Sequence, residues 1–229
     1  MRKALFLALA VLVAMPAWSF SEKDLAKFKA LNVCEKCDLS HSDLVKANLS
    51  GANLSGANLS GANLSGANLT GAKLGLANLN RANLSEATLH YTWLSEANLS
   101  KANLKKANLS GAYLNDADLS GAYLNDADLS GAHLNDADLN KADLKFAKLS
   151  AADLSGADLN KADLKFAKLS AADLSGANLS GANLYMADLK EANLSGVDFS
   201  NVMLKHTALD EAIFCKTKMP WGEENSGCK

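Results

Sequence analysis

Apolar and polar positions follow a beat of five along most of this chain. With Leu39 as the first centre, every fifth residue up to 214 is Leu except for Phe199 and Phe214, giving 36 centres of which 34 are Leu. Two residues before each centre stands Ala in 30 of the 36 cases. Asn or Asp usually lies between the two, so the unit reads Ala52-Asn53-Leu54-Ser55-Gly56. The phase holds without a break from Cys37 to Lys216.

On an α-helix this period would turn each Leu by about 140° from the last, leaving no apolar stripe. A plain strand needs strict alternation, which the two polar residues after each Leu interrupt. A short β-like step followed by a corner fits instead: Ala and Leu, two apart, point the same way, and the small polar residues turn the chain. Gly is frequent after the Ser, where a tight turn demands unusual dihedrals. Repeated, the step and corner predict a solenoid with Leu and Ala inside and three positions of each five outside. Residues 140–157 recur unchanged as 160–177, so the duplicated unit is 20 residues, or four pentads. Each buried Leu contributes about 1.5–3 kcal/mol before chain entropy is subtracted.

The unit, over Cys37–Lys216, resembles the pentapeptide-repeat family. That resemblance implies an all-β fold, a right-handed quadrilateral β-helix with four pentads to a coil. The 36 pentads then make about nine coils, a stack roughly 40 Å tall at strand spacing. The expected organisation is a secretory signal over 1–19, an N-terminal capping helix and linker over 20–36, the β-helix over 37–215, and a disulfide-pinned C-terminal cap over 216–229. In the capping helix, Ser21 and Asp24 fit a capping pair, and Leu25, Phe28 and Leu31 form the apolar side. A lid is needed because solenoid ends expose apolar groups and open sheet edges. In the tail, Met219 and Trp221 are expected to pack on the last coil. Phe214, Cys215, Thr217, Met219, Pro220 and Cys228 resemble the endings of exported family members.

The first 19 residues have the outline of an export signal: Arg2 and Lys3, an apolar run from Ala4 to Met15, then Pro16 and Ala17-Trp18-Ser19, with cleavage expected after Ser19. An uncleaved anchor is the competing reading, although the run is short for a span. Losing Arg2 and Lys3 takes the formal charge from −2 to −4. Neither value gives a strong field for nucleic acid. Cys34 and Cys37 stand at the entrance of the repeats and Cys215 and Cys228 at the exit. The structural reading is one local disulfide at each end, formed in an oxidising periplasmic or secreted location. A redox pair or zinc site at Cys34-x-x-Cys37 is the alternative; it lacks a strand-to-helix context and two further ligands.

With four pentads per coil, residues 20 apart stack. Trp93, Tyr113 and His133 then form one outward ladder, and Phe146, Phe166 and Met186 another, beside Lys145, Lys165 and Tyr185. These are the candidate interaction surface; the competing reading is that duplication copied Phe146 to Phe166 and nothing binds there. Asp118, Asp138 and Asp158 form a carboxylate column, and Asp143 and Asp163 a second. Lys141 and Lys161 are expected to offset them, with cation binding as the alternative.

No catalytic, metal or cofactor constellation is expected. His41, His90, His133 and His206 are scattered over a convex surface without a pocket. The expected function is an exported structural or interaction protein, a rigid rod binding a protein or cell-envelope partner through its faces. No nucleic acid and, after signal removal, no membrane span is expected. The resemblance supplies an alternative: quinolone-resistance members mimic a DNA duplex in size and negative charge and bind type II topoisomerases such as gyrase. Export, a weak net charge and uninterrupted coils count against it here. Delivery as an effector to other cells is a third reading, which a plain secretory signal does not support. A homodimer through a C-terminal end is also implied by the family, and the polar, stapled tail counts against it.

Overall fold

The computed structural model describes residues 21, 23, 24, 28 and 31–228. The expected signal, 1–19, and Leu25 lie outside the described residues. From Val33 onward the chain winds as a tube in which parallel bridges pair residues 20 apart. One ladder runs from Val33 through Asn53, Lys73 and Trp93 to Ile213, and three more begin at Asp38, Asp43 and Asn48, which makes four sides. The bore is apolar along most of its length: Leu54, Leu124 and Ala122 are fully buried, and Ser42, Thr92 and Thr217 are buried polar residues at its Ala positions.

Backbone hydrogen bonding explains why the outer residues are what they are. The Leu54 N–H donates to the Lys73 carbonyl (2.8 Å), Gly56 to Gly75 (2.9 Å) and Asn58 to Cys37 (2.8 Å) in neighbouring coils. Ala57 donates back across the corner to Leu54 (3.0 Å). The remaining N–H, of Ser55, donates to Asn53 Oδ1 (3.3 Å). Every N–H from Leu54 to Asn58 therefore has an acceptor, and the Asn or Asp before each Leu is there to supply one of them.

The corner itself is left-handed. Gly56 has φ 65°, and every fifth residue from Lys36 to Lys216 adopts the same region, with Asn201 the exception. Side chains such as Lys101 (φ 57°) and Phe146 (φ 58°) take it as well as glycines do. Each such non-glycine corner costs about 1–2 kcal/mol, which the surrounding ladder overrides.

The exception lies beside a change in the bore residues. Val197 and Phe199 stand where other pentads carry Ala and Leu, and both are fully buried. Among the described residues no bridge joins Asn178 to Asp198, and Gly181 donates to the Asn201 carbonyl (3.1 Å) in a shifted corner.

At the entrance, Lys23, Asp24, Phe28 and Leu31 have helical backbone. The Asp24 N–H donates to Ser21 Oγ (3.1 Å), and Asn32 to the Phe28 carbonyl (2.8 Å). Phe28 joins the bore cluster, whereas Leu31, expected on the same apolar side, is exposed. Cys34 and Cys37 are bonded to each other (Cα–Cα 5.3 Å) and buried as bore residues. With its sulfurs so joined, this pair offers no zinc ligand.

At the exit, the pentad phase continues past the expected start of the tail. Thr217 and Met219 are buried at the two bore positions, and Lys218 bridges Asp198. Strand β1 (Thr217–Met219) then pairs antiparallel with β2 (Gly222–Glu224). Trp221, expected to pack on the last coil, is 68% exposed because it sits in the turn between these strands. The Cys215–Cys228 disulfide closes the tail (Cα–Cα 4.7 Å). Among the described residues no helix is long and apolar enough to cross a membrane.

Candidate interaction surfaces

The 20-residue stacking creates two aromatic columns of different kinds. Trp93, Tyr113 and His133 occupy the middle of one side, with ring centroids 4.8 and 5.0 Å apart. Trp93 and His133 are exposed and Tyr113 is half-buried. The second column runs along a corner. Phe146 and Phe166 stack with centroids 4.9 Å apart and planes 2° from parallel. They and Met186 stand 52%, 37% and 45% exposed. Tyr185 meets Phe166 edge-on at 5.8 Å and carries the contact on to His206. All three corner residues are left-handed, at φ 58°, 60° and 56°. Large apolar groups thus occupy, in three successive coils, a position where glycine is conformationally cheaper and water is the only neighbour on one side.

Ion pairs flank this corner. Lys145 Nζ lies 3.1 Å from Asp143 and 3.7 Å from Asp163, and Lys165 lies 3.5 Å from Asp163. Hydrogen bonding to Asp143, followed by its charge, holds the Lys145 ammonium above its usual pKa. Lys148 pairs with Asp128 at 3.2 Å. Burial pushes the Asp128 carboxyl up, but hydrogen bonds from Ser130 and Lys148 outweigh that and leave it lowered. The result is an apolar edge bordered by charges that already neutralise one another.

The carboxylate column of Asp118, Asp138 and Asp158 is managed differently from expectation. Among the described residues Lys141 and Lys161 form no ion pair with it. Instead each carboxylate accepts the backbone N–H two residues on: Ser120 at 2.9 Å, Asn140 at 2.8 Å and Asn160 at 3.0 Å. Asp158 also accepts Asn178 Nδ2 at 2.9 Å. These are the same corner bonds that Asn makes elsewhere, so the column is part of the turn chemistry. Among the described residues no group of three or more His, Cys, Asp or Glu could hold a metal ion.

The pentapeptide-repeat pattern matches in eight copies between residues 34 and 215. This chain belongs to the pentapeptide-repeat family. Its fold is that family's right-handed quadrilateral β-helix. HetL, a pentapeptide repeat protein involved in heterocyst differentiation regulation in the cyanobacterium Nostoc sp. strain PCC 7120, is 40% identical over 83% of this chain and 86% of HetL, with a TM-score of 0.54. Full-length QnrB1, a plasmid-mediated fluoroquinolone resistance protein, is 20% identical over 73% of this chain and 89% of its own, with a TM-score of 0.51; that likeness is one of fold alone. No curated protein matches the chain.

Other exposed apolar side chains of this pentapeptide-repeat protein escaped the sequence reading. Leu76 and Tyr91 occupy left-handed corners, and Met203 and Ile213 line the last coil. Leu76 had a visible signal: Gly75-Leu76 reverses the usual order of small residue and glycine at the corner. Met203 and Ile213 had one too, since each replaces the Asn or Asp that normally precedes the central Leu or Phe.

Proposed function

We propose that this pentapeptide-repeat protein is an exported, non-enzymatic rod of about nine coils that binds a protein or cell-envelope partner. The binding edge is the corner of Phe146, Phe166 and Met186, with Lys145, Lys165 and Tyr185 beside it and the Trp93–Tyr113–His133 ladder as a second surface. The observation that carries the reading is the stacked pair Phe146–Phe166, exposed on a left-handed corner that the fold would fill more cheaply with glycine. Exposed, rigid, contiguous apolar groups with a charged border have the make-up of a protein-binding patch. Export is supported by the charged, apolar and small-residue segments of 1–19 and by the two disulfides, which suit an oxidising compartment.

The duplex-mimic reading has less support, because the lysines at 145, 148 and 165 cancel acidic charge where the surface is most featured. Two measurements test the proposal. Cell fractionation is expected to find the processed chain outside the cytoplasm; a cytoplasmic pool with free thiols would refute export. Cross-linking in envelope extracts is then expected to recover a partner that is lost when Phe146, Phe166 and Met186 are changed to Gly. Equal recovery from the triple variant would remove this edge as the binding site.

A further inference from the structure

One pentad reverses the corner of its neighbours. Where others read Leu54-Ser55-Gly56, this one reads Leu74-Gly75-Leu76. Gly75 lies outside the left-handed region, and a Cβ there would meet only the Ser95 carbonyl at 3.6 Å, an ordinary contact. Neither backbone nor packing demands glycine at 75. Leu76 meanwhile takes the corner at φ 60°, exposed, where glycine is cheaper. The effect of the exchange is to delete a side chain from a column that carries Ser55, Ser95, Asn115 and Asn135. It opens a hollow of about 430 Å³ lined by Ser55, Lys73, Gly75, Trp93 and Ser95. That volume is within the range of small-ligand sites, about 300–1,000 Å³.

The hollow has one aromatic wall. Tyr113 stacks against one side of the Trp93 indole, while Lys73 and Gly75 belong to the preceding coil on the other side. Trp93 lines the hollow and is 53% exposed. The Ser55 hydroxyl donates to Asn53 Oδ1 (2.9 Å) and the Ser95 hydroxyl to Asn115 Oδ1 (2.7 Å). With their protons committed, both oxygens face a ligand as acceptors. The Lys73 ammonium forms no ion pair among the described residues.

From these features we infer that the hollow binds a carboxylated sugar ring, a hexuronate-type saccharide, independently of the Phe146 edge. The ring lays its C–H face on Trp93, donates hydroxyls to Ser55 and Ser95, and brings its carboxylate to Lys73. A single wall selects this chemistry. A flat aromatic ligand would leave its second apolar face in water, whereas the outer face of a pyranose is hydroxylated. An aromatic carboxylate also has no hydroxyl protons for the two serine oxygens.

The test uses the full chain with Trp18→Phe and Trp221→Phe, so that Trp93 is its only indole and its fluorescence reports the site. An oligogalacturonate is expected to change that fluorescence saturably, about tenfold more tightly than a neutral galactose oligomer of equal length. Lys73→Met is expected to make the two equal. Gly75→Asn, which restores the residue found at 115 and 135, is expected to abolish the saturable change with the melting temperature retained. The inference is overturned by the absence of a saturable change, by Gly75→Asn binding as the parent does, or by neutral and acidic oligomers binding equally to the parent. Benzoate binding as tightly as the uronate would likewise overturn it.

Discussion

Two stretches of the same tube, 52–71 and 142–171, share one interior and differ in the charged and aromatic residues they show to solvent. Leu59 and Leu164 are equally buried, and Gly56 and Phe146 share nearly the same backbone at φ 65° and 58°. The first stretch is surfaced with Asn, Ser, Gly and one Thr; the second carries Phe146, Phe166 and the lysines around them. The difference teaches that two positions in five, with the side-chain acceptor between them, decide the coil. The corner and its neighbour can vary without altering the winding. Function is therefore to be sought where those free positions hold residues that local conformation disfavours.

The largest expected effect tests the shared interior. Leu59→Ala and Leu164→Ala should each lower unfolding free energy by about 2–5 kcal/mol. The two losses should agree within about 1 kcal/mol in denaturant titrations; a large disparity would mean the two interiors are not equivalent. Next comes the exit. Cys215 and Cys228 are 13 residues apart, and Cys228→Ser should cost about 3 kcal/mol by loss of that closed loop. Hydrogen exchange should rise around β1 and β2 and stay unchanged at Leu59 and Leu164.

A smaller effect addresses the corners. Residues 66 and 166 belong to the same corner column, one as Gly and the other as Phe, at φ 63° and 60°. Gly66→Phe should destabilise by about 1–2 kcal/mol and Phe166→Gly should stabilise by a similar amount. If Phe166→Gly proves destabilising, the ladder is part of the fold and not a surface set aside for a partner.

The smallest effect is one of pH. Hydrogen bonds from the Ser200 hydroxyl and N–H, then from Lys218 at 3.0 Å, hold the Asp198 carboxyl down to about 2. A carboxylate depressed from its ordinary value of about 3.9 stabilises the fold above that value, and the contribution fades as pH falls through about 2. The melting-temperature gap between the parent and Asp198→Asn should therefore narrow from pH 5 to pH 2.

Much of this architecture was legible in the residues. The beat of five placed Leu and Ala inside, and the copy of 140–157 at 160–177 disclosed the coil length. The cysteines at each end pair locally as expected, although the winding runs on past Cys215 to Met219. What stayed hidden depended on backbone geometry that residue types do not announce. The corner is left-handed under Lys101 and Asp116 as well as under glycine, because the ladder on both sides imposes it. The Asn or Asp before each Leu read as surface, yet its oxygen takes up the N–H at the turn, which is why Asp118, Asp138 and Asp158 can stack without lysine partners. Thr217 and Met219 continue the winding although neither is Ala or Leu, so the consensus lost them while the phase did not. Trp221 looked like a packing residue, and its place in a tight turn turns it outward.

One comparison bears most directly on the division between a fixed interior and a working corner. Change Phe146, Phe166 and Met186 together to Gly, then measure thermal stability and partner recovery on the same preparation. The expected result is a melting temperature equal to or above that of the parent, with the partner lost. A lower melting temperature with the partner still recovered would contradict it, showing that the three side chains serve the tube and not something outside it.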